Sequence, residues 1–93
     1  MNKFDYKTGK LFINNKNYEL TKQESEILNL LLDNKLKTYI DIYNKVYKTN
    51  IEIIERKYSQ SINTHISRMR KKGLNIICKY NYGMRLLDDV HSV

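Results

Sequence analysis

The stretch Tyr58-Ser59-Gln60-Ser61-Ile62-Asn63-Thr64-His65-Ile66-Ser67-Arg68-Met69-Arg70-Lys71-Lys72 decides the fold. Ile62, Ile66 and Met69 recur at spacings of four and three, which puts them on one side of an α-helix. At about 100° per residue, Ser61, Thr64, His65, Arg68 and Lys72 share another side. The pattern predicts a helix over 58–72 with one apolar stripe for a core and one polar, basic stripe. Gly73 follows at once and suits the left-handed position after a helix end, with Leu74 as its apolar partner.

Reading outward from this helix, Asn75–Tyr80 is expected to form a strand, Asn81-Tyr82-Gly83 a turn and Met84–Leu87 a returning strand. The tail, Asp88–Val93, reads as loose, with Asp88 and Asp89 solvated. Towards the N-terminus, residues 48–57 read as a loop or an early turn of the helix. Thr38 is a candidate N-cap for a short helix over Tyr39–Tyr47, with Ile42, Tyr43 and Val46 on one side. Thr21-Lys22-Gln23-Glu24 has the capping-box pattern, in which hydroxyl and carboxylate each satisfy the other residue's amide. It predicts a helix from about Lys22 to Asp33, with Ile27, Leu28 and Leu31 inward and Asn34 as its stop.

The first twenty residues alternate apolar and polar around the turn-forming pairs Thr8-Gly9 and Asn14-Asn15. They predict strands near 3–7, 10–14 and 17–20. The expected architecture is therefore α+β: an N-terminal three-stranded antiparallel sheet, three helices and a C-terminal β-hairpin. One domain is expected over 1–93, with an ordered core at about 3–87.

Charge points to a partner. The chain has 93 residues, and 17 basic residues against 10 acidic ones give a net charge of +7. Residues 1–33 are balanced, whereas residues 55–80 hold Arg56, Lys57, Arg68, Arg70, Lys71, Lys72 and Lys79 against Glu55 alone. A concentrated positive field suits a polyanion. Cys78 is the single cysteine, so no intramolecular disulfide can form, in keeping with the expected cytoplasmic setting. No apolar run approaches the roughly 20 residues needed to span a bilayer, so no membrane partner is expected.

Catalysis has no support. The sequence lacks a glycine-rich phosphate loop and a nucleophile–base set. His65, His91 and Cys78 do not have metal-ligand spacing, so neither metal nor cofactor is expected. The tyrosines fall mostly at amphipathic positions, where packing accounts for them. Tyr80 and Tyr82 stand apart, beside the expected hairpin.

A basic helix followed at once by a β-hairpin is a recurring way of holding double-stranded DNA. The helix fits the major groove, and the hairpin reaches the backbone or the neighbouring minor groove. Arg68 can donate two bonds to guanine, and Ser61, Asn63 and Thr64 are short enough to meet base edges. His65, Arg70, Lys71, Lys72, Lys79 and Arg85 suit phosphates, which fix register without reading sequence.

The run Ile62-Asn63-Thr64-His65-Ile66-Ser67-Arg68-Met69-Arg70-Lys71-Lys72 resembles the third-helix signature of the OmpR/PhoB family, the winged helix-turn-helix output domains of bacterial response regulators. Leu20-Thr21-x-x-Glu24 is similar to the start of that family's first helix. Ile42 and Val46-Tyr47 are similar to its second, and Gly83-Met84-Arg85-Leu86 to its wing. The resemblance covers residues 4–87. It implies a transcription regulator with base-reading positions at Ser61, Asn63, Thr64 and Arg68. Phosphate-binding positions fall at Gln60, His65, Ser67, Arg70 and the wing. It further implies contact with RNA polymerase through loop 48–57, and pairing of two subunits on direct repeats, with a monomer expected off DNA. A phosphorylatable receiver domain preceding Met1 is the usual arrangement. Gln60 stands where the family commonly has arginine, and the wing lacks the arginine that often enters the minor groove. A stand-alone DNA-binding repressor or architectural protein is one rival reading, and a winged helix that binds protein is another.

Overall fold

The computed structural model describes residues 1–79 and 82–93. Expectations that fall on Tyr80 and Asn81 lie outside the described residues. The elements are β1 (Asn2–Asp5), β2 (Lys10–Ile13), β3 (Lys16–Glu19), α1 (Lys22–Leu31), β4 (Lys37–Thr38), α2 (Tyr39–Tyr47), α3 (Arg56–Lys71), β5 (Ile76–Lys79), β6 (Gly83–Leu86) and β7 (Val90–Ser92). The result is a small α+β fold of three helices and two sheets.

The N-terminal strands pair antiparallel as expected. Asn14 and Asn15 both take positive φ (52° and 62°) between β2 and β3. This is the combination a two-residue hairpin with the native strand twist requires. The sheet is larger than the sequence suggests, however. Its order is β3-β2-β1-β7, and β7 runs parallel to β1. The tail is therefore not loose, and the ordered core does not end at residue 87. Val90 is buried, and the Val93 amide donates to the Phe4 carbonyl at 2.9 Å. Asp88 is not simply solvated either. Its carboxylate accepts from the Asn75 backbone amide at 2.6 Å and from Asn75 Nδ2 at 3.0 Å.

Helix α1 opens on a complete capping box. Thr21 Oγ1 accepts from the Glu24 amide at 3.2 Å, and Glu24 Oε1 accepts from the Thr21 amide at 2.8 Å. The helix stops at Leu31, two residues before the expected end. Asn34 takes positive φ there and donates through Nδ2 to the Leu86 and Asp88 carbonyls. Helix α2 is capped by Thr38, whose hydroxyl accepts from the Asp41 amide at 3.1 Å.

Helix α3 begins at Arg56, earlier than the periodicity of 58–72 predicts, so the end of segment 48–57 is the early turn of this helix that the sequence left open beside a loop. Its end is a Schellman arrangement: the Gly73 amide bonds the Arg70 carbonyl and the Leu74 amide bonds the Met69 carbonyl. Gly73 carries the required positive φ of 96°.

The expected C-terminal hairpin is part of a three-stranded sheet of order β4-β6-β5. Gly83 makes this possible. A Cβ there would lie 2.0 Å from the Lys37 carbonyl oxygen, so only glycine lets β4 approach β6 in the Thr38–Gly83 register. One core joins both sheets and all three helices, through Phe4, Leu11, Ile27, Leu31, Ile42, Ile66, Met84 and their neighbours. No helix among the described residues is long and apolar enough to cross a membrane.

Candidate nucleic-acid interface

The orientation of α3 follows from its apolar stripe. Ile62, Ile66 and Met69 are all buried against the core. Three apolar side chains of this size contribute roughly 1.5–3 kcal/mol each when fully buried, so the helix cannot rotate about its axis at modest cost. Thr64 and Arg68, in contrast, are exposed. The outward side carries Gln60, Asn63, Thr64, Ser67, Arg68 and Lys71, which together line one open groove.

Not every residue expected on this surface lies there. Helical period groups Ser61, His65 and Lys72 with Arg68, but in the structure they occupy a flank that faces the protein. Tyr47 Oη lies 2.6 Å from Ser61 Oγ and 3.0 Å from His65 Nε2, so one phenol engages both. His65 Nδ1 is buried with no partner. Burial pushes the His65 imidazole below its ordinary range. The Arg68 charge acts in the same direction, and the opposing Glu24 carboxylate does not offset them. The neutral ring is therefore favoured, and it is poorly suited to a phosphate.

Lys72 is committed inward. Its Nζ donates to Glu24 Oε1 at 2.9 Å and approaches the Glu19 carbonyl at 3.4 Å. The Glu24 side chain is 1% exposed and that of Lys72 26%. Burial would raise the Glu24 carboxyl, but the Thr21 amide and the Lys72 ammonium outweigh it and hold the group below its usual range.

Arg70 is exposed, yet its guanidinium is occupied. Nε and Nη2 donate to the Ile76 carbonyl at 3.1 and 2.6 Å, and Nη2 to Cys78 Sγ at 3.3 Å. It fastens the end of α3 to β5 and is not the free phosphate ligand expected from the sequence.

Among the described residues, the exposed cations on this side with no ion-pair or hydrogen-bond partner are Arg68 and Lys71 on α3, with Lys79 and Arg85 on the hairpin. Lys79 Nζ lies 5.5 Å from the centroid of the Tyr82 ring. Arg85 is paired across the strands with Ile77, which is 49% exposed. The last turn of α3 is rich in positive charge, at Arg68, Arg70 and Lys71, where the helix dipole favours it.

Two features were missed from the sequence. Arg56 and Ser59 lie in the first turn of α3 and line a second cleft with Gln60, Asn63 and Tyr39. The sequence leaves Arg56 open between loop and helix, because no apolar residue marks the true start. Tyr39, 5% exposed, donates through its hydroxyl to Asn63 Oδ1 at 2.7 Å. Nothing in the sequence links these two positions, which stand 24 residues apart. Thr64 Oγ1 donates to the Gln60 carbonyl at 3.0 Å, so the hydroxyl's remaining capacity towards the groove is as an acceptor.

Among the described residues no group of His, Cys, Asp or Glu is arranged to hold a metal ion. No protein-family model matches the chain, and neither a curated protein nor a solved structure matches it.

Proposed function

We propose that this protein is a winged-helix module that binds double-stranded DNA, with α3 in the major groove and the β5–β6 hairpin as the wing on the backbone. The observation that carries this reading is the two-sidedness of α3. Ile62, Ile66 and Met69 are wholly inside, while Gln60, Asn63, Thr64, Ser67, Arg68 and Lys71 form one continuous exposed stripe. A helix is about as wide as the major groove, and a stripe of amides, hydroxyls and cations matches the chemistry of base edges and phosphates. Lys79 and Arg85 continue the positive surface onto the hairpin.

Within this reading, Arg68, Asn63 and Thr64 meet bases. Lys71, Lys79, Arg85, Gln60 and Ser67 meet the backbone, and Arg56 joins them at the start of α3. Ser61, His65, Arg70 and Lys72 are assigned to holding the helix in place. The resemblance in α3 and the hairpin extends the proposal to transcriptional regulation as the output domain of a response regulator, acting in pairs on direct repeats.

Duplex affinity measured against salt tests the proposal. Log affinity is expected to fall linearly with log salt, by about 0.9 per phosphate neutralised. A flat response would remove the basis for a DNA partner and favour a protein one.

A further inference from the structure

Asn63 stands on the outward side of α3, yet its amide oxygen is held from inside. The Tyr39 hydroxyl lies 2.7 Å from Asn63 Oδ1. An amide oxygen can only accept, so the phenol donates. Tyr39 itself is 5% exposed, so this donor is fixed from inside the protein.

This direction limits what Asn63 can read. An asparagine whose oxygen and nitrogen stand abreast pairs bidentately with adenine, donating to N7 and accepting from N6. Here the oxygen is turned towards a buried phenol, and Nδ2 with its two hydrogens is left for the groove. We infer that Asn63 reads its base pair as a donor alone, and that Tyr39 is the positioning residue that imposes this. The base edge it meets is one that presents an acceptor, purine N7, guanine O6 or thymine O4, with no bidentate preference for adenine. The inference rests on the DNA-binding reading above and sharpens it to one position of the target.

Selection of bound sequences from a random duplex pool tests it, using the full chain as wild type, Asn63→Ala and Tyr39→Phe. The position read by Asn63 is the one whose preference Asn63→Ala erases. The wild type is expected not to single out adenine there. Tyr39→Phe frees the oxygen, and adenine at that position is expected to rise by about fivefold or more, the lower range for a bidentate pair. Other positions keep their preferences, which loss of structure alone would not allow. Adenine selected by the wild type, or no change at that position in Tyr39→Phe, overturns the inference.

Should Tyr39→Phe unfold, the wild type is read by NMR. A slowly exchanging Tyr39 hydroxyl proton close to the Asn63 side-chain amide is expected, and rapid exchange with solvent overturns the inference. Failure of the wild type to bind any duplex removes the DNA reading itself. Failure of the Tyr39→Phe arm with the wild type still binding overturns the inference and leaves the DNA reading standing.

Discussion

Lys72→Ala separates two accounts of the end of α3. As a surface cation, Lys72 would bind phosphate, and its loss would weaken every duplex alike. In the structure it is the counter-ion of a buried carboxylate, 2.9 Å from Glu24 Oε1. Removing it leaves Glu24 with the Thr21 amide on Oε1 and no partner on the buried Oε2. Breaking a buried pair from one side costs about 3–5 kcal/mol. The partial exposure of Lys72 places the expected loss at the low end, about 3 kcal/mol. For a domain of this size each kcal/mol moves the melting temperature by about 4–8 °C, so a fall of about 12–24 °C is expected.

The pH dependence gives an independent check. The Glu24 pKa is lowered in the folded state. Its contribution is therefore present above the ordinary carboxylate range and lost as pH falls through the folded value. The gap between wild type and Lys72→Ala should accordingly narrow towards low pH, where the stranded carboxylate can take a proton. Urea unfolding at neutral and acidic pH measures this. Adding Glu24→Gln to Lys72→Met should recover most of the stability, because both ends of the pair are then neutral. A loss below about 1 kcal/mol, the size of an exposed pair, would refute the reasoning. It would do so decisively if the salt slope of DNA binding also fell by about one.

Three further outcomes are expected. Arg68→Ala should lose about 1–3 kcal/mol on the selected site and relax preference at one base pair, with the fold intact; gel shifts against a panel of single-base changes measure both. Gly83→Ala should destabilise by about 1–3 kcal/mol as an overpacked contact, because its methyl would collide with the Lys37 carbonyl; a lower urea midpoint and lost amide protection in β4 and β6 would show it. His65 has a folded pKa below its ordinary value, so its neutral form contributes stability that is present above about pH 6.5 and lost as pH falls through the folded value. The wild type should therefore lose more stability than His65→Gln on going from neutral to mildly acidic pH, as urea midpoints at both pH values will report.

The parts of the fold legible in the sequence are those written in local patterns. Ile62, Ile66 and Met69 reveal the inner stripe of α3, because apolar residues at helical spacing have one place to go. Thr21 with Glu24, Thr38 and Gly73 mark helix ends, because each satisfies backbone groups within a few residues of itself. What escaped is set by distant partners. Strand β7 offers one buried residue, Val90, which is too little for an alternating pattern, and its place is fixed by β1. Strand β4 has two residues and exists because Gly83 lets it come close to β6.

The same cause explains the residues misplaced around α3. A helical wheel sorts side chains by angle and takes polarity to mean solvent. Ser61, His65 and Lys72 are polar, but Tyr47 and Glu24 give them partners inside, and those partners come from α2 and α1. The outward stripe is consequently narrower than charge alone suggests, and displaced towards Gln60, Asn63, Ser67 and Lys71.

This displacement bears on how the proposed interface would work. Of the basic residues from Arg68 to Lys72, Arg70 and Lys72 are spent on holding α3 to β5 and to α1. That removes charge a phosphate could use, and so lowers sequence-independent attraction. In return the helix is fixed along both flanks, by Tyr47 and Lys72 on one and by Tyr39 and Arg70 near the hairpin. A helix held in this way presents Asn63, Thr64 and Arg68 in one geometry, and hydrogen bonds to base edges discriminate only when the geometry is held. The inward cations thus shift the balance at α3 from affinity towards selectivity, which is the direction a reader of sequence requires.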